Sequence, residues 1–317
     1  MRKNFLHSLL FLLPLTALVV LLGPVFAPKN NTSAAGMLEA DPIAILSQPE
    51  NSIDLLFLGD SEAYSGFVPM ELWQDYGIAS FVCACVDQKP YETEAFLKAA
   101  LERQSPKVVV LETNVLYRVY SRVDRIVPAA QRLFPVLRYH SRWKSLTLRD
   151  LQSPEYTGEY PDRGYHLLLS ADPRKDLEGY MAPTDAREAL SGANLRSLRN
   201  ISNLCREKNI RLILYSVPSP ENWSMARHNT MEDLARELGV LYLDGNLESR
   251  DIDWDRDTYD NGDHLNYYGA AKITRWLGDF LSDTLPDHRG EAAYAAWDRD
   301  LAALPERIQA KKEEMKE

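Results

Sequence analysis

The sequence predicts an α/β protein with a mostly parallel five-stranded sheet, helices on both faces in a three-layer flavodoxin-like arrangement, and one membrane helix ahead of it. Three observations predict this. Apolar runs alternate with amphipathic stretches of helical period, which is the pattern of βαβ units. The runs are nearly continuous rather than alternating, as suits parallel strands buried on both faces. The first 27 residues form an apolar block that nothing later in the chain repeats.

That block opens with Arg2 and Lys3 and runs from Phe5 to Phe26, broken only by His7, Ser8, Pro14, Thr16, Gly23 and Pro24. Spanning a bilayer core takes about 20 mostly apolar residues, so the segment is long enough. A cleaved signal peptide is the competing reading, with Val25-Phe26-Ala27 as the cleavage site. Pro28 would then follow the scissile bond, which disfavours cleavage. An uncleaved anchor leaves Arg2 and Lys3 in the cytoplasm and the rest of the chain outside the membrane.

Residues 28–50 are small and polar, a linker and entry segment. The main domain is expected over 51–290. Ile53 to Leu58, ending at Gly59, is the first strand, Ile78 to Val82 the second and Val108 to Leu111 the third. Arg211 to Val217 is the fourth, stopped by Pro218 and Pro220, and Val240 to Leu243 the fifth. Helical patterns at Tyr91 to Arg103, Ala186 to Lys208 and Trp223 to Leu238 lie between them. Five such strands suit the order 2-1-3-4-5, whose switch point gathers ligands at the carboxyl ends of strands one and three. Residues from about 118 to 185 break the rhythm, carrying Arg118, Arg122, Arg125, Arg132, Arg138 and Arg142 among aromatics. They read as an insertion roofing the sheet edge where the site lies. Residues 291–317 read as a charged helix with Trp297, Leu301 and Leu304 on one face.

A formal net charge of −10 over 317 residues leaves no basic footprint for phosphates, so nucleic acid is not expected as a partner. Cys83, Cys85 and Cys205 are odd in number and make no disulfide framework. No ligand cluster or phosphate-cradling glycine loop implies a metal or an organic cofactor.

Gly59-Asp60-Ser61-Glu62 follows the first strand directly and presents a serine hydroxyl at the top of the sheet. Alone, Ser61 is equally a helix cap. Far downstream, Asp263-His264-Leu265-Asn266 precedes an amphipathic helix opening at Tyr267. A serine needs an adjacent base, and the base needs a carboxylate to fix its tautomer. His264 is that base, and Asp260 and Asp263 are the nearest carboxylates.

The combination of Gly59-Asp60-Ser61 with a late Asp and His-Leu-Asn resembles the SGNH/GDSL hydrolase superfamily, in particular bacterial proteins with one N-terminal membrane segment. The resemblance extends over most of the chain after residue 50, through Pro106 to Glu112, Val217 to Trp223 and His264 to Ala270. It implies Ser61 as nucleophile and His264 as base. The family's Asp stands three residues before its His, where this chain has Asn261. Asp260 is preferred, because one extra loop residue can be absorbed whereas neighbouring side chains seldom face each other; Asp263 is the alternative.

The resemblance also implies an oxyanion hole built from the Ser61 N–H, a glycine N–H and an asparagine side chain. Asn114 stands at the asparagine position, with a turn cap as its other reading. The glycine position reads Cys83-Ala84-Cys85, so Gln88 is the substitute amide. Glu112 and Trp223 complete the rim as candidate substrate-binding residues, set against readings as a backbone-bonded carboxylate and a packing anchor. His140 reads as a packed or surface histidine.

Esterase or O-acyltransferase chemistry through an acyl-enzyme follows, on an O-acylated envelope glycan or related polymer. Similar anchored SGNH proteins work beside MBOAT-type membrane O-acyltransferases, which the resemblance implies as a partner. The rival is a non-catalytic glycan-binding or envelope-assembly protein on the same fold, favoured by the missing glycine and the shifted Asp.

Overall fold

The computed structural model of the chain describes residues 2–38, 40–248 and 251–316. The fold has two compact units, one made of residues 1–40 with 119–158, the other of residues 41–118 with 159–317.

The second unit holds the sheet. Its strands are β1 (Leu55–Gly59), β2 (Ser80–Ala84), β3 (Val108–Glu112), β4 (Arg211–Ser216) and β5 (Leu241–Asp244), all parallel and in the order β2-β1-β3-β4-β5. Each of the first three is buried along its whole length, which is why they read as unbroken apolar runs. One face packs Phe57, Val82, Val110 and Ile213 against Phe67, Ile273 and Leu277 from the helices. Because β1 lies between β2 and β3, the crossover direction reverses beside it, and the carboxyl ends of β1 and β3 open side by side.

The chain after 118 is not one insertion. Residues 119–158 belong with the N-terminal segment, whereas 159–185 belong to the sheet unit. There the latter stretch runs without regular structure and is tied by backbone bonds to β2, to the helix after β1 and to the loop near residue 258. Val82 N–H donates to Arg163 O, His166 N–H to Tyr64 O, Asp172 N–H to Thr258 O and Asn261 N–H to Asp172 O. The C-terminal stretch is two helices, Ala295–Ala302 and Leu304–Glu314, with Pro305 in the first turn of the second. Trp297 packs 5.2 Å from Trp73, and the Trp73 indole N–H donates to Asp298.

The first unit begins with the helix Arg2–Phe26. Its stretch His7–Phe26 has mean hydropathy 2.6 and is long and apolar enough to cross a membrane. Among its described residues follow the 3₁₀ turns Ser33–Ala35, His140–Lys144 and Leu148–Leu151 and the helices Arg122–Leu133 and Pro135–Tyr139, the former helix opening on a reciprocal Ser121–Asp124 cap. His140 is an exposed residue of this unit, its ring nitrogen against Leu137 O.

Candidate active site

Ser61 is placed by the end of β1. Asp60 caps the helix Ser61–Gly66 through the Glu62 N–H, so Ser61 is the first helical residue and its own N–H precedes the intrahelical bonds. Gly59 is required by close approach: a Cβ there would lie 2.7 Å from the Cβ atoms of both Ala63 and Glu112.

His264 is placed by a tight loop. An antiparallel bridge joins Thr258 to Leu265, and Tyr259 N–H donates to His264 O at 2.9 Å. Between them Asn261 and Gly262 both take left-handed backbone, φ 53° and 88°, which turns the chain back on itself. Asp260 folds onto His264 with both oxygens, Oδ1 accepting the His264 backbone N–H at 2.6 Å and Oδ2 lying 2.7 Å from Nδ1. Asp263 Oδ2 stands farther from Nδ1, at 3.7 Å. The opposite ring nitrogen, Nε2, is buried and has no hydrogen-bond partner among the described residues.

Burial lowers the His264 imidazolium, but the Asp260 hydrogen bond and the charges of Asp263, Asp260 and Asp60 outweigh it and hold the group above the ordinary histidine value.

Ser61 Oγ is approached by an arginine that sequence reasoning assigned to the insertion. Arg118 Nε donates to Asp60 Oδ2, and Arg118 Nη2 lies 3.4 Å from Ser61 Oγ. Asp60 is buried, which raises its carboxyl, while the guanidinium opposes that shift. No local pattern in the sequence connects residues 57 positions apart.

Asn114 reaches the same rim with its backbone N–H on Glu112 Oε1 at 2.7 Å. Its Oδ1 accepts from Arg227 Nη1 at 3.2 Å, which orients the amide.

Three of the rim assignments meet a different geometry. Gln88 is buried with its amide on Thr93 Oγ1 at 2.8 Å and its carbonyl on the Cys85 N–H at 3.0 Å, so it staples the loop after β2. Glu112 is buried, and its two oxygens accept the N–H groups of Asn114 and Val115. Trp223 is only 4% exposed, its indole N–H on Asp244 and its ring edge-on to Tyr117, which makes it a packing anchor with no open face.

Two more residues enter the site: Glu62, which the sequence places at the end of the first strand without a role, and Asn222, which it does not assign to the site. Glu62 is buried; desolvation first, then the charges of Glu112 and Asp60, push its carboxyl well above the usual range. Asn222, from the loop after β4, donates to Glu62 Oε1 at 2.7 Å and to Asp263 Oδ1 at 2.5 Å. Glu62 Oε2 has no hydrogen-bond partner among the described residues. Donor atoms of Glu62, Asp263 and His264 lie within 4.8 Å of one another, near enough for a cation to bridge, but the Asn222 amide already joins two of them.

No family model matches the chain, and no curated protein does. Among solved structures it is similar to the lipase/acylhydrolase from Enterococcus faecalis, at TM-score 0.41 and 10% identity over 74% of this chain and 98% of that one. A GDSL-like lipase from Bacteroides thetaiotaomicron aligns at 0.37 and 10%, covering 73% and 88%. A mutant acetyl-xylooligosaccharide esterase from Geobacillus aligns at 0.37 and 14%, covering 77% and 100%. Likeness at this level carries nothing about activity or substrate.

Proposed function

We propose that this chain is a serine esterase or O-acyltransferase of the SGNH type, working through an acyl-enzyme on Ser61. In this reading the N-terminal helix is an anchor, the sheet unit lies outside the cytoplasmic membrane, and the substrate is an O-acylated envelope glycan or related polymer. The observation that carries it is the Asp260–His264 pair, which fixes Nδ1 as the donor and leaves a buried Nε2 with its lone pair unused.

In this mechanism Ser61 Oγ turns from Arg118 toward His264, and Nε2 removes its proton as Oγ attacks the ester carbonyl. The oxyanion is held by the Ser61 N–H, Asn114 Nδ2 and Arg118 Nη2. Donors act best about 3 Å from the developing charge, and a group 3.4 Å from Oγ is placed for an oxygen one bond beyond the attacked carbon. Collapse breaks the carbon–oxygen bond to the alcohol, which takes the proton from His264. Water or an acceptor hydroxyl then gives its proton to Nε2 and attacks the acyl-enzyme; the acyl carbon–Oγ bond breaks and Ser61 Oγ takes that proton back from Nε2. Asp260 keeps the ring oriented throughout and is not itself protonated. The MBOAT-type partner belongs to the proposal through the sequence resemblance, as the source of acyl groups.

The competing reading, a glycan-binding protein on a hydrolase scaffold, is favoured by one observation: the Cys85 N–H and the Gln88 amide are both engaged inside the protein. Acetate release from O-acetylated envelope glycan by the full-length protein in detergent distinguishes them. Release lost in Ser61→Ala supports the enzyme; binding without release supports the rival.

A further inference from the structure

The unit formed by residues 1–40 and 119–158 carries a surface that the chemistry at Ser61 does not use. In the helix Arg122–Leu133, Val123, Ile126, Val127, Ala130 and Leu133 recur at helical spacing and share one face. That face is open, with Ile126 64% exposed. Trp143 at 64% and Leu148 at 84% continue the apolar exposure along the same unit. Large apolar side chains exposed together mark a surface that another phase or molecule covers.

Two features identify the cover. The surrounding stretch 119–158 holds seven arginines and lysines against three acids, in a chain whose net charge is −10. This unit is also fastened to the carboxyl end of the apolar helix. Arg142 Nη1 donates to Phe26 O at 2.6 Å while its Nη2 pairs with Asp150, and Pro135 packs so tightly on Gly23 that a Cβ there would lie 3.1 Å from its ring. If the apolar helix spans, this junction is at the level where hydrocarbon gives way to headgroups.

We propose that the helix face carrying Val123, Ile126 and Leu133, together with the exposed Trp143 and Leu148 of the same unit, lies in the interfacial layer of an anionic bilayer, a second membrane contact beside the spanning helix. Apolar side chains enter the acyl boundary, the basic residues meet anionic headgroups, and Trp143 sits at the depth indoles prefer, with Lys144 5.7 Å over its ring. The inference rests on the N-terminal helix being a span, so its test reads both.

Full-length protein carrying one spin label at Ile126→Cys, Leu148→Cys, Leu12→Cys or Lys311→Cys, in a Cys85→Ser background, is placed in phosphatidylcholine–phosphatidylglycerol vesicles. Accessibility to oxygen and to a water-soluble nickel chelate is then measured. The proposal predicts that labels 126 and 148 join Leu12 in being open to oxygen and shielded from nickel, while 311 behaves as water-exposed. Labels 126 and 148 matching 311 while Leu12 stays in lipid would overturn the interfacial contact and keep the span. Shielding of 126 and 148 from both reagents would overturn it in favour of a protein cover. A water-exposed Leu12 removes the span and the inference together.

Discussion

Arg118 is ion-paired with Asp60 while its Nη2 reaches within 3.4 Å of Ser61 Oγ. One guanidinium therefore neutralises a fully buried carboxylate and presents a donor to the reacting hydroxyl. These two roles are separable. Arg118→Met is expected to lower kcat by about 100-fold or more, the usual effect of losing one oxyanion donor. It also leaves Asp60 buried without its partner, a loss of about 3 kcal/mol. Asp60→Asn combined with Arg118→Met is expected to recover the melting temperature but not kcat. Recovery of both would make Arg118 purely structural.

Asp260 and Asp263 both approach His264, at 2.7 and 3.7 Å from Nδ1. Asp260→Asn is expected to lower kcat by about 10⁴-fold, because the amide selects the wrong tautomer. Asp263→Asn keeps the tautomer and removes only a charge, so kcat on the alkaline plateau changes by less than about tenfold. Equal losses in the two variants would contradict the assignment of Asp260.

The pH profile follows from the same charges. His264 must be neutral to accept a proton, and its neighbours hold the protonated form above the ordinary value of about 6.5. The acid limb of kcat/KM is therefore expected above that value, with activity rising as pH rises. Asp263→Asn removes an anion that favours imidazolium, so the limb moves to lower pH. An unmoved limb would place the titrating group elsewhere.

Glu62 offers a stability test. A buried acid with a raised folded value binds more protons folded than unfolded, so stability falls as pH climbs from the ordinary glutamate value of about 4.3 toward the raised one. Glu62→Gln abolishes that decline and retains an acceptor for Asn222. The melting-temperature difference between variant and wild type is expected to grow with pH across that window, and a constant difference would show that Glu62 titrates normally.

The five strands and their order were legible because strands buried on both faces leave unbroken apolar runs, and Gly59 marked the first turn through its need for space against Ala63 and Glu112. His264 stood out by its position before an amphipathic helix. The route by which Asp260 reaches it was not legible, since it depends on two successive left-handed residues at Asn261 and Gly262. Arg118 and Asn222 were missed, and Glu62 was placed at the end of the first strand without a role, for a common reason: their partners at the site are set by folding and leave no spacing signal. Gln88 and Trp223 were placed on the rim from loop position alone, and burial with internal partners gives each a structural task. Residues 119–158 read as one piece with 159–185 because the packing that joins them to the N-terminal segment is long-range.

The most direct test of the account is covalent labelling of the full-length protein in detergent by a fluorophosphonate serine probe, comparing wild type with Ser61→Ala, His264→Ala and Asp260→Asn. The account predicts a single labelled serine in wild type, no label in the first two variants and slow labelling in the third. A folded wild-type protein that takes no label, or one that labels equally well without Ser61 or His264, would contradict an activated nucleophile at this site.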